Sequence, residues 1–174
     1  SRGWILISLQ FAKVERGEGS DPYEVAHTIA LNALVTRAKS KGELLAHLKT
    51  RGVEDDVAHA VIFRLQESGL VNDREFALAW ATSRHDHKKI SKRIIAGELR
   101  QKGVLQAQID EALEGIDDES EYRSAFELGF KKYNTMSRLA PDVQVRRIQS
   151  LLARKGFNFT IISRVLKELD LLNN

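Results

Sequence analysis

SKGELLAHLKTRGVEDDVAHAVIFRL, residues 40–65, aligns without a gap with two later stretches, SKRIIAGELRQKGVLQAQIDEALEGI at 91–116 and QVRRIQSLLARKGFNFTIISRVLKEL at 144–169. The apolar positions of the three stretches coincide. The matched sets are Leu44/Ile95/Ile148, Leu48/Leu99/Leu152, Val53/Val104/Phe157, Ala58/Ile109/Ile162, Ile62/Leu113/Leu166 and Leu65/Ile116/Leu169. Self-similarity at a fixed period indicates one small structural unit that is repeated along the chain.

The spacing inside each stretch is helical, because apolar residues four apart, such as Leu44 and Leu48, lie on one stripe of an α-helix. In every stretch a basic residue followed by glycine separates two helices, at Gly52, Gly103 and Gly156. A glycine at this position takes the left-handed backbone conformation that ends a helix. We therefore expect a positive φ at all three glycines.

A further apolar helix precedes each pair, in the segments that contain Leu31, Phe76 and Phe126. The sequence thus predicts an all-α fold, an elongated tandem array of three three-helix repeats. The expected boundaries are residues 21–73, 74–119 and 120–174. After residue 20 nothing has the alternating pattern of a strand.

Helix-start signals support this interpretation in the first repeat. Asp21, Pro22 and Glu24 combine an N-cap, a proline in the first helical turn and an early acid, and Ser40 with Glu43 forms a capping box. These signals predict helices over residues 22–38, 41–51 and 55–68.

Composition bounds the class of protein. The chain has 174 residues, 43% hydrophobic and 29% charged, which is enough to bury a core, and it has no cysteine, which excludes disulfides, thiolate metal sites and cysteine nucleophiles. The apolar run from Trp4 to Ala12 is shorter than the ~20 residues that span a bilayer, so we expect no membrane segment and no secretory signal. Residues 1–20 are expected to form a short non-helical extension and linker.

Signatures of catalysis are missing from the sequence, which contains no phosphate-binding loop, nucleophile elbow or zinc-protease motif. The sequence therefore predicts a protein that is not an enzyme. His85-Asp86-His87 resembles a metal-binding cluster, but residues two apart diverge on a helix, and a solvated loop is favoured. The seven acids between residues 110 and 121 lack the spacing of a calcium loop and are expected at a solvated helix end.

Basic residues concentrate between residues 84 and 102, with seven bases against two acids, and the net charge of the whole chain is +3. On a helical wheel Arg93 and Arg100 lie opposite the core side, with Ala96 and Gly97 between them, and Arg146 repeats the position of Arg93 in the third repeat. A run of this kind is often nothing more than a solvated surface. Because the basic position recurs in the third repeat, the alternative is a flat cationic face that a partner contacts. The candidate contact residues are Arg84, Lys88, Lys89, Arg93, Arg100, Arg146 and Arg147.

GLVNDREFA at residues 69–77, ELRQKG at 98–103 and LKTRGV at 48–53 form a combination of motifs that resembles the RecX family of bacterial recombination regulators. The resemblance covers residues 24–170. One position departs from the family, because Lys89 stands where a glycine is common between the first two helices of the middle unit. Within the first motif, Asp73 and Phe76 are expected to be structural, since Phe76 opens an apolar helix with Ala77 and Trp80.

The resemblance implies a cytoplasmic, non-catalytic protein without a cofactor that lies in the groove of the RecA recombinase filament on single-stranded DNA. It would restrain filament growth, strand exchange and ATP hydrolysis by RecA. Two alternatives remain, a nucleic-acid-binding helical protein that acts without RecA and a plain helical-repeat scaffold. The acidic run and the small net charge count against the first of these.

Overall fold

Residues 19–171 are described by the computed structural model, and within them the chain forms nine α-helices and no strand. Of the predicted extension over residues 1–20, residues 1–18 lie outside the described part. None of the nine helices is long and apolar enough to cross a membrane. They are α1 Pro22–Thr36, α2 Lys41–Thr50, α3 Asp55–Glu67, α4 Asp73–Thr82, α5 Lys92–Gln101, α6 Gln106–Leu113, α7 Asp118–Asn134, α8 Pro141–Arg154 and α9 Phe159–Glu168.

Three helices belong to each repeat, so the predicted all-α fold of three three-helix repeats is confirmed. α1–α3 form the first repeat, α4–α6 the second and α7–α9 the third. A π-helical turn, Ser83–His87, continues α4 and leads into the link before α5.

The predicted start signals occur as hydrogen bonds. The Asp21 carboxylate accepts from the backbone N–H of Tyr23 at 3.0 Å, and Ser40 and Glu43 form the complete capping box of α2. α1 ends at Thr36, two residues before the predicted end. The reason is that Arg37 is extended, and its guanidinium donates to the Glu43 carboxylate at 2.9 and 3.0 Å.

A separate hydrophobic core lies inside each repeat, and the aligned apolar positions form it. The matched residues Leu44, Ile95 and Ile148 are fully buried, as are Leu48, Leu99 and Leu152. Val53 and Leu113 are the partly buried members of their sets. Full burial of a leucine or isoleucine side chain stabilises the fold by about 1.5–3 kcal/mol.

The helix-ending glycines have the predicted conformation. The φ angles of Gly52, Gly103 and Gly156 are +79°, +76° and +90°. At each of these glycines the second helix of the repeat ends and the chain turns into the third helix.

Two compact units make up the chain, one up to Asp73 and one from Arg74. The second unit contains the second and third repeats, which are joined at the start of α5. There the N–H of Ser91 donates to the carbonyl of Lys155 at 2.9 Å, and the N–H of Lys92 donates to the Glu121 carboxylate at 2.7 Å.

A similar contact closes α2 inside the first unit. The N–H of Lys41, which aligns with Lys92, donates to the Asp73 carboxylate at 2.7 Å. Burial raises the pKa of Asp73, and the hydrogen bond from Lys41 opposes that rise. Asp73 is therefore structural, as predicted, because it satisfies one of the orphan N–H groups at a helix start.

Candidate partner-binding site

The outer face of α5 carries two of the predicted contact residues. Ser91 caps this helix, and the buried Ile95 and Leu99 fix which side faces the core, so that Arg93 and Arg100 are exposed two turns apart. Gly97 lies between them, and a Cβ atom built there would meet nothing within 4 Å. The expectation of an open arginine face with small residues between the two side chains is confirmed.

This face is one wall of a groove between α5 and α6. Its floor is apolar, formed by Ala96, Leu113 and Ile116. One wall holds Lys92, Arg93 and Arg100, while the other holds Asp110, Glu114, Asp117 and Asp118. The acids expected at a solvated helix end thus lie opposite the arginines, and the groove as a whole carries both signs of charge.

Internal contacts occupy most of the charges in this groove. The Arg100 Nε donates to Gln106 Oε1 at 3.0 Å, and Gln106 Nε2 donates to Asp110 Oδ1 at 2.7 Å. The Lys92 Nζ lies 3.9 Å from Asp118 Oδ1. Within residues 19–171 no ion pair or side-chain hydrogen bond occupies Arg93 or Glu114, although both line the groove.

Arg84 is held by its own repeat. Its Nε donates to Glu98 Oε2 at 2.8 Å, Arg84 and Glu98 also form an ion pair, and Trp80 Nε1 donates to the same carboxylate at 2.8 Å. The Lys102 Nζ lies 4.2 Å from the centroid of the Trp80 ring. Burial alone would raise the pKa of Glu98, but the hydrogen bonds from Arg84 and Trp80 outweigh it, and the pKa is lowered.

The two predicted lysines at the end of the π-helical turn lie beside the third repeat. Lys88 is exposed, and its carbonyl accepts from the Lys155 Nζ at 2.9 Å. The Lys89 Nζ pairs with Glu127 Oε2 on α7 at 2.6 Å. Lys89 has a φ of +52°, which is the left-handed conformation that glycine adopts without steric cost. The departure noted in the sequence thus falls at a position whose backbone suits glycine.

On α8, the predicted residues Arg146 and Arg147 are exposed, next to the fully buried Ile148. In the part of the chain that the structure describes, neither arginine has an ion pair or a side-chain hydrogen bond. Neither lines the groove of the second repeat. Among residues 19–171 the structure therefore leaves the side chains of four of the seven predicted cations without an internal partner: Lys88, Arg93, Arg146 and Arg147.

His85 differs from its predicted state. The expected solvated loop is wrong, because residues 83–87 form a π-helical turn and His85 is only 6% exposed. One ring nitrogen lies 3.2 Å from the carbonyl of Ile90, and the other lies 3.3 Å from the Ser124 hydroxyl on α7. The exposed neighbours Asp86 and His87 are not held in this way, and among residues 19–171 no group of three or more possible ligands is placed to bind a metal ion.

Glu121 is the residue that sequence reasoning missed. Its carboxylate is 6% exposed and caps α5 from the next repeat, yet in the sequence it is one of seven acids in a run. The signal that distinguishes it is its place in α7, directly before Tyr122 on the apolar side of that helix.

Three consecutive segments match the domains of one protein family. Residues 26–65, 72–113 and 118–166 match domains described as the first, second and third three-helix domains of RecX. Together these matches span more than half of the chain.

Several proteins named Regulatory protein RecX are similar to this chain. The one from Streptomyces coelicolor is 36% identical over 158 residues, which cover 90% of this chain and 84% of that protein. The one from Mycolicibacterium vanbaalenii is 39% identical over 153 residues, covering 84% of this chain and 83% of that protein.

Solved structures share the fold. A crystal structure of RecX from Lactobacillus salivarius superposes with a TM-score of 0.75 at 24% identity, covering 87% of this chain and 99% of that one. A second crystal structure, of regulatory protein RecX, has a TM-score of 0.74 at 20% identity and covers 84% of this chain and 74% of that one. At these identities the likeness concerns the fold alone. From the three domain matches and the relatives above 30% identity it follows that the chain belongs to the RecX family, whose matched members are named regulatory proteins.

Proposed function

We propose that this chain binds the RecA recombinase filament on single-stranded DNA and restrains filament growth, strand exchange and ATP hydrolysis by RecA. The observation that carries the proposal is the match of three consecutive three-helix domains to RecX. The chain acts by binding and is not an enzyme, and it works in the cytoplasm, where a DNA-bound recombinase is accessible.

The cations without internal partners are the proposed contact residues. Arg93, Arg146 and Arg147 are exposed, so an acidic group of a partner can reach them without breaking an existing bond. Arg100 joins them, because its only side-chain hydrogen bond among the described residues goes to the neutral amide of Gln106 and leaves its charge unpaired. Lys88 contributes an exposed side chain, whereas Arg84 and Lys89 already form ion pairs and contribute mainly to the stability of the second unit.

The direct test is the ATPase rate of RecA on single-stranded DNA, measured with increasing amounts of this protein. We expect the rate to fall until the filament is saturated. RecA without DNA serves as the background. An ATPase rate that stays unchanged at saturating protein would remove the proposal.

A nucleic-acid-binding role without RecA is the alternative. It is favoured by the unpaired Arg146 and Arg147 and by Phe130, which is 48% exposed and stacks on Phe126 with ring centroids 5.8 Å apart. Exposed aromatic rings provide stacking surfaces for the bases of single strands, and exposed cations bind their phosphates. A salt titration with an oligonucleotide alone tests it, since neutralising Z phosphates gives a slope of about −0.7Z on single strands.

A further inference from the structure

The groove between α5 and α6 has opposite charges on its two walls and an apolar floor. Three cations and four carboxylates line it, so its formal charge is about −1 even though it contains the exposed arginines. A phosphodiester backbone would meet Arg93 and Arg100 on one side and repulsion from the acidic wall on the other. The groove therefore suits a ligand that carries both signs of charge.

The charged side chains at both ends of the groove form bonds within the protein, whereas those in its middle do not. At one end Arg100 is connected through Gln106 to Asp110. At the other end the Lys92 Nζ lies between Asp118 and the carbonyl of Ile116, at 3.9 and 3.4 Å. The middle contains Arg93 on one wall and Glu114 on the other. Both are exposed, and within residues 19–171 neither side chain has an ion pair or a hydrogen bond.

We propose that this groove binds a segment of a partner protein in which an acidic and a basic side chain flank an apolar one. The partner's acid pairs with Arg93, its base pairs with Glu114, and its apolar side chain covers Ala96 and Leu113 on the floor. Next to the groove, Gly97 has no side chain and open space around it, so α5 presents no steric obstacle there to a segment bound along Arg93 and Arg100. This inference rests on the proposed function, since RecA is the partner protein tested.

The sign of the effect at Glu114 separates a protein ligand from a nucleic acid. With a protein segment, Glu114→Lys places a cation opposite the partner's base and weakens binding by like-charge repulsion. With a nucleic acid, the same change removes an anion and adds a cation, and binding becomes tighter. Arg93→Glu weakens binding in both cases and reports only that the groove is used.

The experiment compares the wild-type chain with Arg93→Glu and Glu114→Lys for binding to RecA filaments assembled on single-stranded DNA. The matched controls are Arg64→Glu and Glu67→Lys on α3, where both residues are exposed. We expect each groove variant to weaken binding about ten-fold and each control to change it by less than about two-fold. Circular dichroism melting shows that each variant is folded. The neutral variants Arg93→Gln and Glu114→Gln test the same contacts, with a smaller loss, if a reversal does not fold.

Four results would overturn the inference. Folded Glu114→Lys or Glu114→Gln protein that binds the filament as tightly as wild type removes the protein segment from the groove. Glu114→Lys that binds an oligo(dT) strand alone more tightly than the Glu67→Lys control does assigns the groove to nucleic acid. A dimer of the chain that either reversal dissociates assigns it to a second copy. If the wild-type protein does not bind the filament, the proposed function is overturned as well. If the wild-type protein and the groove variants bind the filament equally well, only this inference is overturned.

Discussion

Gly156 lies directly against Ser91, so that a Cβ atom at position 156 would overlap the Ser91 hydroxyl and approach Ile94 Cδ1 to 2.6 Å. The glycine that ends α8 in the third repeat therefore also packs against the start of α5 in the second repeat. The equivalent Gly52 has the same left-handed backbone, but a Cβ atom there would meet nothing within 4 Å.

Alanine at these glycines should therefore have unequal effects. Gly52→Ala and Gly103→Ala should each lower the free energy of unfolding by about 1 kcal/mol, the cost of a side chain at positive φ. Gly156→Ala should lower it by roughly 2–4 kcal/mol, because overlap with Ser91 and Ile94 adds to that cost. Urea denaturation of the three variants measures the difference, and equal losses at positions 52 and 156 would contradict it.

Gly129 should be intolerant of alanine although it lies inside α7. A Cβ atom there would lie 2.8 Å from Cγ1 of the fully buried, β-branched Val165. The steric cost should exceed the roughly 1 kcal/mol that alanine gains over glycine in a helix. Gly97→Ala on α5, where the space is open, is the matched control and should be neutral or stabilising. Chemical denaturation that ranks Gly129→Ala as the more stable variant would show that the two helices move apart at little cost.

Phe76→Ala should act through folding. The side chain is 7% exposed and stacks on Trp80 with ring centroids 5.9 Å apart. Its loss should cost about 3–5 kcal/mol through lost burial and the cavity left behind. The melting temperature and the inhibition of RecA should therefore decrease together. A Phe76→Ala protein with a normal melting temperature that has lost only its partner would show that the residue is a contact instead.

Glu98 should make the free energy of unfolding depend on pH at pH values below the ordinary pKa of a glutamate. Its pKa is lowered in the folded protein, so the stabilisation is present above the unfolded pKa of about 4.3 and disappears as the pH falls through the lower folded value. Glu98→Gln should thus cost about 1 kcal/mol at neutral pH, discounted for partial exposure, and progressively less as the pH falls below about 4.3. Urea denaturation of both proteins at several pH values measures the gap, and a gap that does not change with pH would assign the loss to packing.

Reversal of both arginines of α5 should spare the fold and weaken regulation. Arg93 and Arg100 are exposed, and substitutions at such sites usually change stability by less than about 0.5 kcal/mol. Arg93→Glu combined with Arg100→Glu should therefore leave the protein folded, with a small fall in melting temperature caused by the acidic wall of the groove, while RecA inhibition falls strongly by like-charge repulsion. RecA ATPase assays and thermal melting are the two measurements. A double variant that inhibits RecA normally would refute the contact assignment and leave the family assignment intact.

The core of each repeat could be predicted because one pattern occurs three times. One apolar stretch alone is a weak guide to which side of a helix is buried. An apolar residue at the same aligned position in all three repeats, such as Leu44, Ile95 and Ile148, is a stronger guide, and these three residues are fully buried. The glycine conformations followed from the same alignment. The domain boundaries at 73/74 and 119/120 stay a prediction, as do the residues that contact RecA.

The groove could not be predicted, because it depends on how α5 and α6 face each other. In the sequence Arg93 and Glu114 belong to two separate charged runs, and a helical wheel places each residue only on its own helix. The same limitation applies to His85, whose burial comes from a π-helical turn and from Ser124 on a helix of the next repeat. Contacts between elements far apart in sequence leave no local pattern.

The bonds that complete the start of α5 also set an order of events during synthesis. Asp73, which caps α2, leaves the ribosome soon after the residues of the first repeat's core. The first repeat can therefore complete its contacts early. The start of α5 needs Glu121 and then the carbonyl of Lys155, which are 29 and 64 residues further along than the N–H groups they accept from. Until those residues emerge, the two N–H groups at the start of α5 can bond only to water, and the bonds that join the second repeat to the third form only once the last repeat is present.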